Sequence, residues 1–220
     1  MSHDPDPKAN VDAWSKQSQQ LSYRRMMGAT DPEVLEAWNE FYRRLILSDR
    51  SLDAISSELL LLSLLTTTRE AHGRIHVGRA RDAGIDDDRI ASAIALGGAF
   101  DALSTYDFII DNWRDELDGG RVLELYLAGV ERVRGAIDPK LCEIMAVACH
   151  AAKRRPRGLR LHLGRAFAAG ATVAEVSEAL SFLIMVCSLP TLTDAAIGWT
   201  AAARDSLCPP PYDDATEPKP

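Results

Sequence analysis

Residues 76–84 read HVGRARDAG and residues 162–170 read HLGRAFAAG. The shared frame is His-x-Gly-Arg-Ala, closed four residues later by a glycine. A helix that carries the motif can end on that glycine, which adopts the left-handed C-terminal cap most readily. Upstream, LDAISSEL at 52–59 matches IDPKLCEI at 137–144 and aligns Glu58 with Glu143. Downstream, Ile90, Ala93 and Ile94 match Val176, Ala179 and Leu180. Acid, histidine, arginine, glycine and apolar positions thus recur in one order, which marks a tandem duplication. Glu58 and Glu143 stand 85 residues apart and His76 and His162 stand 86 apart, so one copy has gained or lost a residue between them.

Helical periodicity surrounds the motif. Val34, Leu35, Trp38, Phe41, Tyr42, Leu45 and Ile46 fall at three- and four-residue steps behind Asp31-Pro32, a cap and a first-turn proline. Thr172-Val-Ala-Glu175 reads as a capping box, and Asp86 or Asp87 can cap the equivalent helix of the first copy. No segment alternates as a strand does. The fold predicted is all-α, a bundle of two pseudo-symmetric helical repeats. An N-terminal lobe is expected over 11–120 and a C-terminal lobe over 121–208. The ends at 1–10 and 209–220 are polar or Pro-rich and are expected to be disordered.

The net charge of −7 and pI near 5.3 argue against nucleic acid or an anionic membrane as partners. The longest apolar run, Leu59–Leu65, is too short to span a bilayer, and the start of the chain lacks the features of a secretion signal. A cytoplasmic protein is expected. Cys142 and Cys149 on one helix lie roughly 10 Å apart along its axis, too far for a disulfide, and no Cys-x-x-Cys occurs. Buried free thiols are the simplest reading. Trp38, Phe41, Trp113 and Trp199 suit an interface or a pocket, although core packing is the commoner fate.

Four of the five histidines, His72, His76, His150 and His162, cluster around the motif helices. Imidazole exchanges protons near neutral pH. His76 with Arg79, and His162 with Arg165, are three apart and share a helix face. Such a pair can hold a carboxylate on the arginine while the histidine moves a proton. The arginines can equally pair with acids on neighbouring helices. Glu58 and Glu143 lie in apolar helix segments and need partners. A Glu–His relay and a Glu–Arg salt bridge both fit. His72 and His76 share a helical spacing that suits a metal ion, with Glu58 or Glu70 as third ligand, but Gly158 stands where the second copy would place His72. No metal and no other cofactor is expected. Cys149 beside His150 is a weak nucleophile pair, and Cys149 is retained as a pocket residue.

The pattern resembles the carboxymuconolactone decarboxylase family, which includes alkyl hydroperoxidase D. The better match is 143–190, with Glu143, His162, Arg165, Ala166, Gly170 and Pro190; the weaker is 58–101. The resemblance implies an all-α fold and ring-shaped homo-oligomers, the trimer favoured. Peroxidase members look like Cys-x-x-Cys-x-x-x-His, but here Arg155 and Gly158, or Arg69 and His72, occupy the cysteine positions. Neither copy has the thiolate and resolving thiol that this redox chemistry needs. The resemblance therefore implies a cofactor-free decarboxylase or isomerase acting on a small carboxylated lactone or keto acid. His162 would donate the proton and Glu143 orient it, with His76 and Glu58 as counterparts. Arg165 and Arg79 would bind the carboxylate, with His72 and Cys149 nearby. A single-cysteine antioxidant enzyme and a non-catalytic binding or scaffold member are the alternatives.

Overall fold

A computed structural model describes residues 21–48, 50–113 and 115–212. Every regular element among them is helical. Of the ends expected to be disordered, 1–10 and 209–220, residues 1–10 and 213–220 lie outside the described residues. The chain divides into two compact units, 1–50 and 51–220.

The first unit holds α1 (Ser22–Thr30) and α2 (Pro32–Tyr42), followed by a π-helical turn, Arg43–Leu47. Asp31 caps α2 by accepting from the Val34 amide at 3.1 Å, and Pro32 opens its first turn, as the sequence predicts. Trp38 meets Tyr23 edge-on at 6.4 Å and Phe41 at 6.0 Å, so two of the aromatic positions in question pack on each other.

The second unit contains α3 (Ala54–Thr68), a 3-10 turn (Ala71–Arg74), α4 (Ile75–Asp82), α5 (Asp87–Asp101) and α6 (Leu103–Asn112). It continues with α7 (Gly119–Arg134), α8 (Pro139–Ala152), α9 (Pro156–Ala168), α10 (Val173–Ser181), α11 (Leu183–Val186) and α12 (Leu189–Arg204). At its centre α3 packs on α8, and these are the equivalent helices of the two copies. Both are apolar on nearly every side, as helices enclosed by others must be. Leu59, Leu60, Leu64, Ile144, Met145 and Val147 have no exposed surface. Each such side chain contributes about 2 kcal/mol of burial. α5 lies along α3 and α7, α9 lies along α8, and α12 closes over α8 and α9.

The ends of the elements follow the sequence. Asp53 and Asp138, 85 residues apart, cap α3 and α8. Asp86 rather than Asp87 caps α5. Thr172 and Glu175 form the predicted capping box. Gly84 and Gly170 have φ of 82° and 88°, the left-handed geometry expected of them.

The structure places the repeat's extra residue. Arg69 and Arg154 both take left-handed φ at the end of the central helix, and they are 85 residues apart. Gly73 and Gly158 keep that spacing, and each faces the residue eight positions earlier, Leu65 and His150. Gly158 is therefore the counterpart of Gly73, not of His72. The length change lies between this glycine and the motif histidine. Copy one passes it as a 3-10 turn followed by a short helix, whereas copy two runs as one helix, α9.

The stretch Asp87–Asn112 has the length and mean hydropathy of a membrane span, which the short apolar runs of the sequence did not suggest. Its α5 portion buries Ile90, Ala93, Leu96 and Phe100 among the other helices, although only 28% of its most apolar window is buried. Trp199 is buried in α12 and donates to the Pro209 carbonyl at 2.8 Å, so the chain just past 208 lies against the last helix. Trp113, by contrast, is half exposed.

Candidate functional site

In both copies the glutamate of the central helix meets the histidine and arginine of the next. Glu58 accepts from His76 Nδ1 at 2.8 Å and from Arg79 at 2.5 Å. Glu143 lies 2.6 Å from His162 Nδ1 through Oε2, while its Oε1 takes Arg165 Nε at 2.8 Å and a terminal guanidinium nitrogen at 2.7 Å. The Glu–His relay and the Glu–Arg salt bridge are thus present together. The helical spacing explains this, because a residue three positions on places arginine and histidine on one face, toward one carboxylate. An unpaired carboxylate so buried costs several kcal/mol, and two partners offset that cost. Burial pushes the Glu143 carboxyl up, but His162 and Arg165, through hydrogen bonds and charge, outweigh it and hold it below the usual carboxylate range.

Copy two extends further. His162 is wholly buried, and its Nε2 lies 2.9 Å from the Tyr126 hydroxyl. That hydroxyl also lies 3.2 Å from Nε2 of His150. The two imidazoles stack at 5.0 Å with planes 12° apart, and Phe100 flanks both. Burial, with the nearby charges of His162 and Arg155, brings His150 down to about 2, so its ring is neutral. Burial and the Glu143 charge push the Tyr126 phenol well above its ordinary value. No equivalent hydroxyl meets His76 among the described residues.

A cavity of about 280 Å³ opens beside this array. Glu143 and Arg165 are on its wall, together with Glu131 and Arg134, which pair with each other. Leu127, Val130, Pro139 and Cys142 supply apolar surface. Arg165 is nearly half exposed, while Glu143 shows only its edge. Glu143 therefore stands at the cavity, with His162 behind it.

The other sequence candidates lie elsewhere. His72 is on the 3-10 turn with an exposed side chain, and its amide is held by Glu70. Among the described residues no His, Cys, Asp and Glu group is placed to hold a metal ion. Cys149 points between the central helices, 3.2 Å from Ser63 Oγ, away from the cavity. Burial pushes its thiol up to about 11 and that of Cys142 up to about 12. All four cysteines are free thiols. The two positions that replace the redox cysteines have other tasks: Arg155 binds the carboxylate and carbonyl of Asp101, and Gly158 makes room for His150.

Sequence reasoning missed Tyr126 and left His150 without a role. The available signal was a tyrosine on the apolar stripe of α7, since a buried phenol needs a hydrogen-bond partner.

A duplicated all-α unit whose central glutamate is clamped by histidine and arginine defines the class. The sequence profile of the carboxymuconolactone decarboxylase family matches residues 32–105 and again 120–202, well over half the chain, and the protein belongs to that family. No curated protein and no solved structure matches the chain.

Proposed function

We propose that the protein is a cofactor-free lyase or isomerase for a small carboxylated substrate, a lactone or keto acid, working at the Glu143 cavity. The observation that carries this reading is Glu143 and Arg165 side by side on a half-apolar cavity, with His162 hydrogen-bonded behind the carboxylate. The volume lies near the lower end for small-molecule sites. The apolar wall suits a carbon skeleton, and Arg165 suits its carboxylate.

This order exchanges the roles expected for the two residues. Glu143 becomes the proton carrier that touches substrate, and His162 holds and polarises it. A substrate carboxylate on Arg165 draws that guanidinium away from Glu143 and adds negative charge nearby. Both effects raise the proton affinity of Glu143 when substrate arrives. In decarboxylation the carbon–carboxylate bond breaks, its electron pair enters the adjacent unsaturated carbonyl, and carbon dioxide leaves. Glu143 then protonates carbon and regains a proton from solvent through the cavity. In isomerisation Glu143 removes a proton next to the carbonyl and returns it elsewhere on the same framework.

The antioxidant reading loses support, because neither Cys142 nor Cys149 carries a thiolate near neutral pH. The protein is read as cytoplasmic and as a homo-oligomer, the trimer favoured, which sedimentation reads directly.

The test is carbon dioxide release, or loss of enone absorbance, across carboxylated lactones and β-keto acids. Turnover that falls about a hundredfold or more in Glu143→Gln is the expected result. No turnover by the native protein anywhere in the panel overturns the proposal.

A further inference from the structure

We propose that Tyr126 and His150 are positioning residues that fix the ring tautomer of His162, through a one-way chain of hydrogen bonds ending on Glu143. The inference rests on the reading of Glu143 and His162 as the proton-handling pair.

The chain follows from counting protons. A carboxylate only accepts, so His162 Nδ1 must carry the hydrogen it shares with Glu143 Oε2 at 2.6 Å. In the neutral ring Nε2 is then a bare acceptor, and the Tyr126 O–H at 2.9 Å donates to it. Having spent its only hydrogen, the Tyr126 oxygen accepts, and the donor is His150 Nε2–H at 3.2 Å. His150 Nδ1 is left bare. It is buried without a hydrogen-bond partner and faces Gly158. The reverse direction requires His150 Nδ1–H, a buried N–H with nothing to donate to, and also a charged His162. An orphaned N–H is rarer in proteins than an acceptor left bare. Stacking against His162 and contact with Phe100 hold the His150 ring in place.

The array has no counterpart around His76 among the described residues, which separates the two copies chemically. Their Glu–His–Arg clusters match and each carboxylate calls for hydrogen on Nδ1, but among the described residues only His162 also has a hydroxyl that donates to Nε2 and so reinforces that tautomer. A ring locked with hydrogen on Nδ1 always presents that hydrogen to Glu143. A ring free to exchange tautomers offers it for only part of the time.

Nitrogen-15 NMR of the full chain, with histidines assigned by His150→Gln and His162→Gln, reads the tautomers directly. We expect His162 to carry its hydrogen on Nδ1 and His150 on Nε2, with His150 remaining neutral down to the acid limit of folding. Tyr126→Phe, which removes one oxygen, takes away the donor to Nε2 and is expected to lower the share of His162 that carries hydrogen on Nδ1 alone. Its kcat on any substrate the panel finds should fall about tenfold, with KM little changed. A native His162 with hydrogen on Nε2, or a Tyr126→Phe protein whose His162 stays locked on Nδ1, overturns the proposal. The native spectrum decides even if that variant does not fold. Expected tautomers in a protein that turns over nothing would sink the proposed reaction and leave the positioning chain standing.

Discussion

Gly158 and His150 share one space: a Cβ on Gly158 would stand 2.4 Å from Nδ1 of His150, well inside contact distance. Both are in helices, α9 and α8, that pack along each other over most of their lengths. The absent side chain lets the imidazole lie flat against the neighbouring backbone, stacked on His162.

Gly158→Ala should therefore cost stability despite the better helix propensity of alanine. The gain of up to about 1 kcal/mol from replacing a helical glycine is smaller than an overpacking penalty of about 1–3 kcal/mol. We expect a net loss of roughly 1–2 kcal/mol in chemical denaturation. The double variant Gly158→Ala with His150→Ala should recover much of it, because the clash goes with the ring. A stabilised Gly158→Ala protein would show that His150 does not occupy this position.

His150 also predicts an acid limb in the stability curve. Its folded value is about 2, whereas an unfolded histidine titrates near 6.5. Between these values the unfolded chain binds the extra proton, so stability rises with pH. The contribution is complete above about pH 6.5 and is lost as pH falls toward the folded value. One such group gives a slope of about 1.4 kcal/mol per pH unit. Unfolding free energies measured between about pH 6 and 4.5 should fall less steeply, by about that amount, in His150→Gln than in the native protein. Equal slopes would mean that His150 takes up its proton in the folded state.

The thiols should divide into two classes. Cys142 and Cys149 are almost fully buried with raised thiols, and Cys187 and Cys208 are half-buried. A thiol reagent at mildly alkaline pH should label two cysteines readily and two only on unfolding. Peptide mapping should place the slow pair at 142 and 149. Fast labelling of Cys149 in the folded protein would reopen a role for it in peroxide chemistry.

Much of this architecture was legible in the residues. The repeat gave the helices, and the caps at Asp31, Thr172, Gly84 and Gly170 stand where side-chain chemistry puts them. The Glu–His–Arg clusters also followed, because position on a helix face is a local property. What did not follow was non-local. Tyr126 reaches His162 from a helix that begins beyond the loop after α6, and no spacing rule links the two. The pairing of His72 with Gly158 failed because counting back from the motif histidine assumes one unbroken helix. Copy one passes that point as a 3-10 turn. The order of Glu143 and His162 relative to the cavity depended on α7, whose register the motif does not encode.

The equivalence of Gly73 and Gly158 has a historical consequence. One glycine accommodates a leucine and the other an imidazole, although their backbones do the same thing. In an assembly of identical single-repeat chains, any substitution at that position would have appeared at every site at once. Joining two copies in one polypeptide lifted that constraint. One half of this polypeptide holds an aliphatic side chain there and the other an imidazole, an asymmetry that identical single-repeat chains could not display.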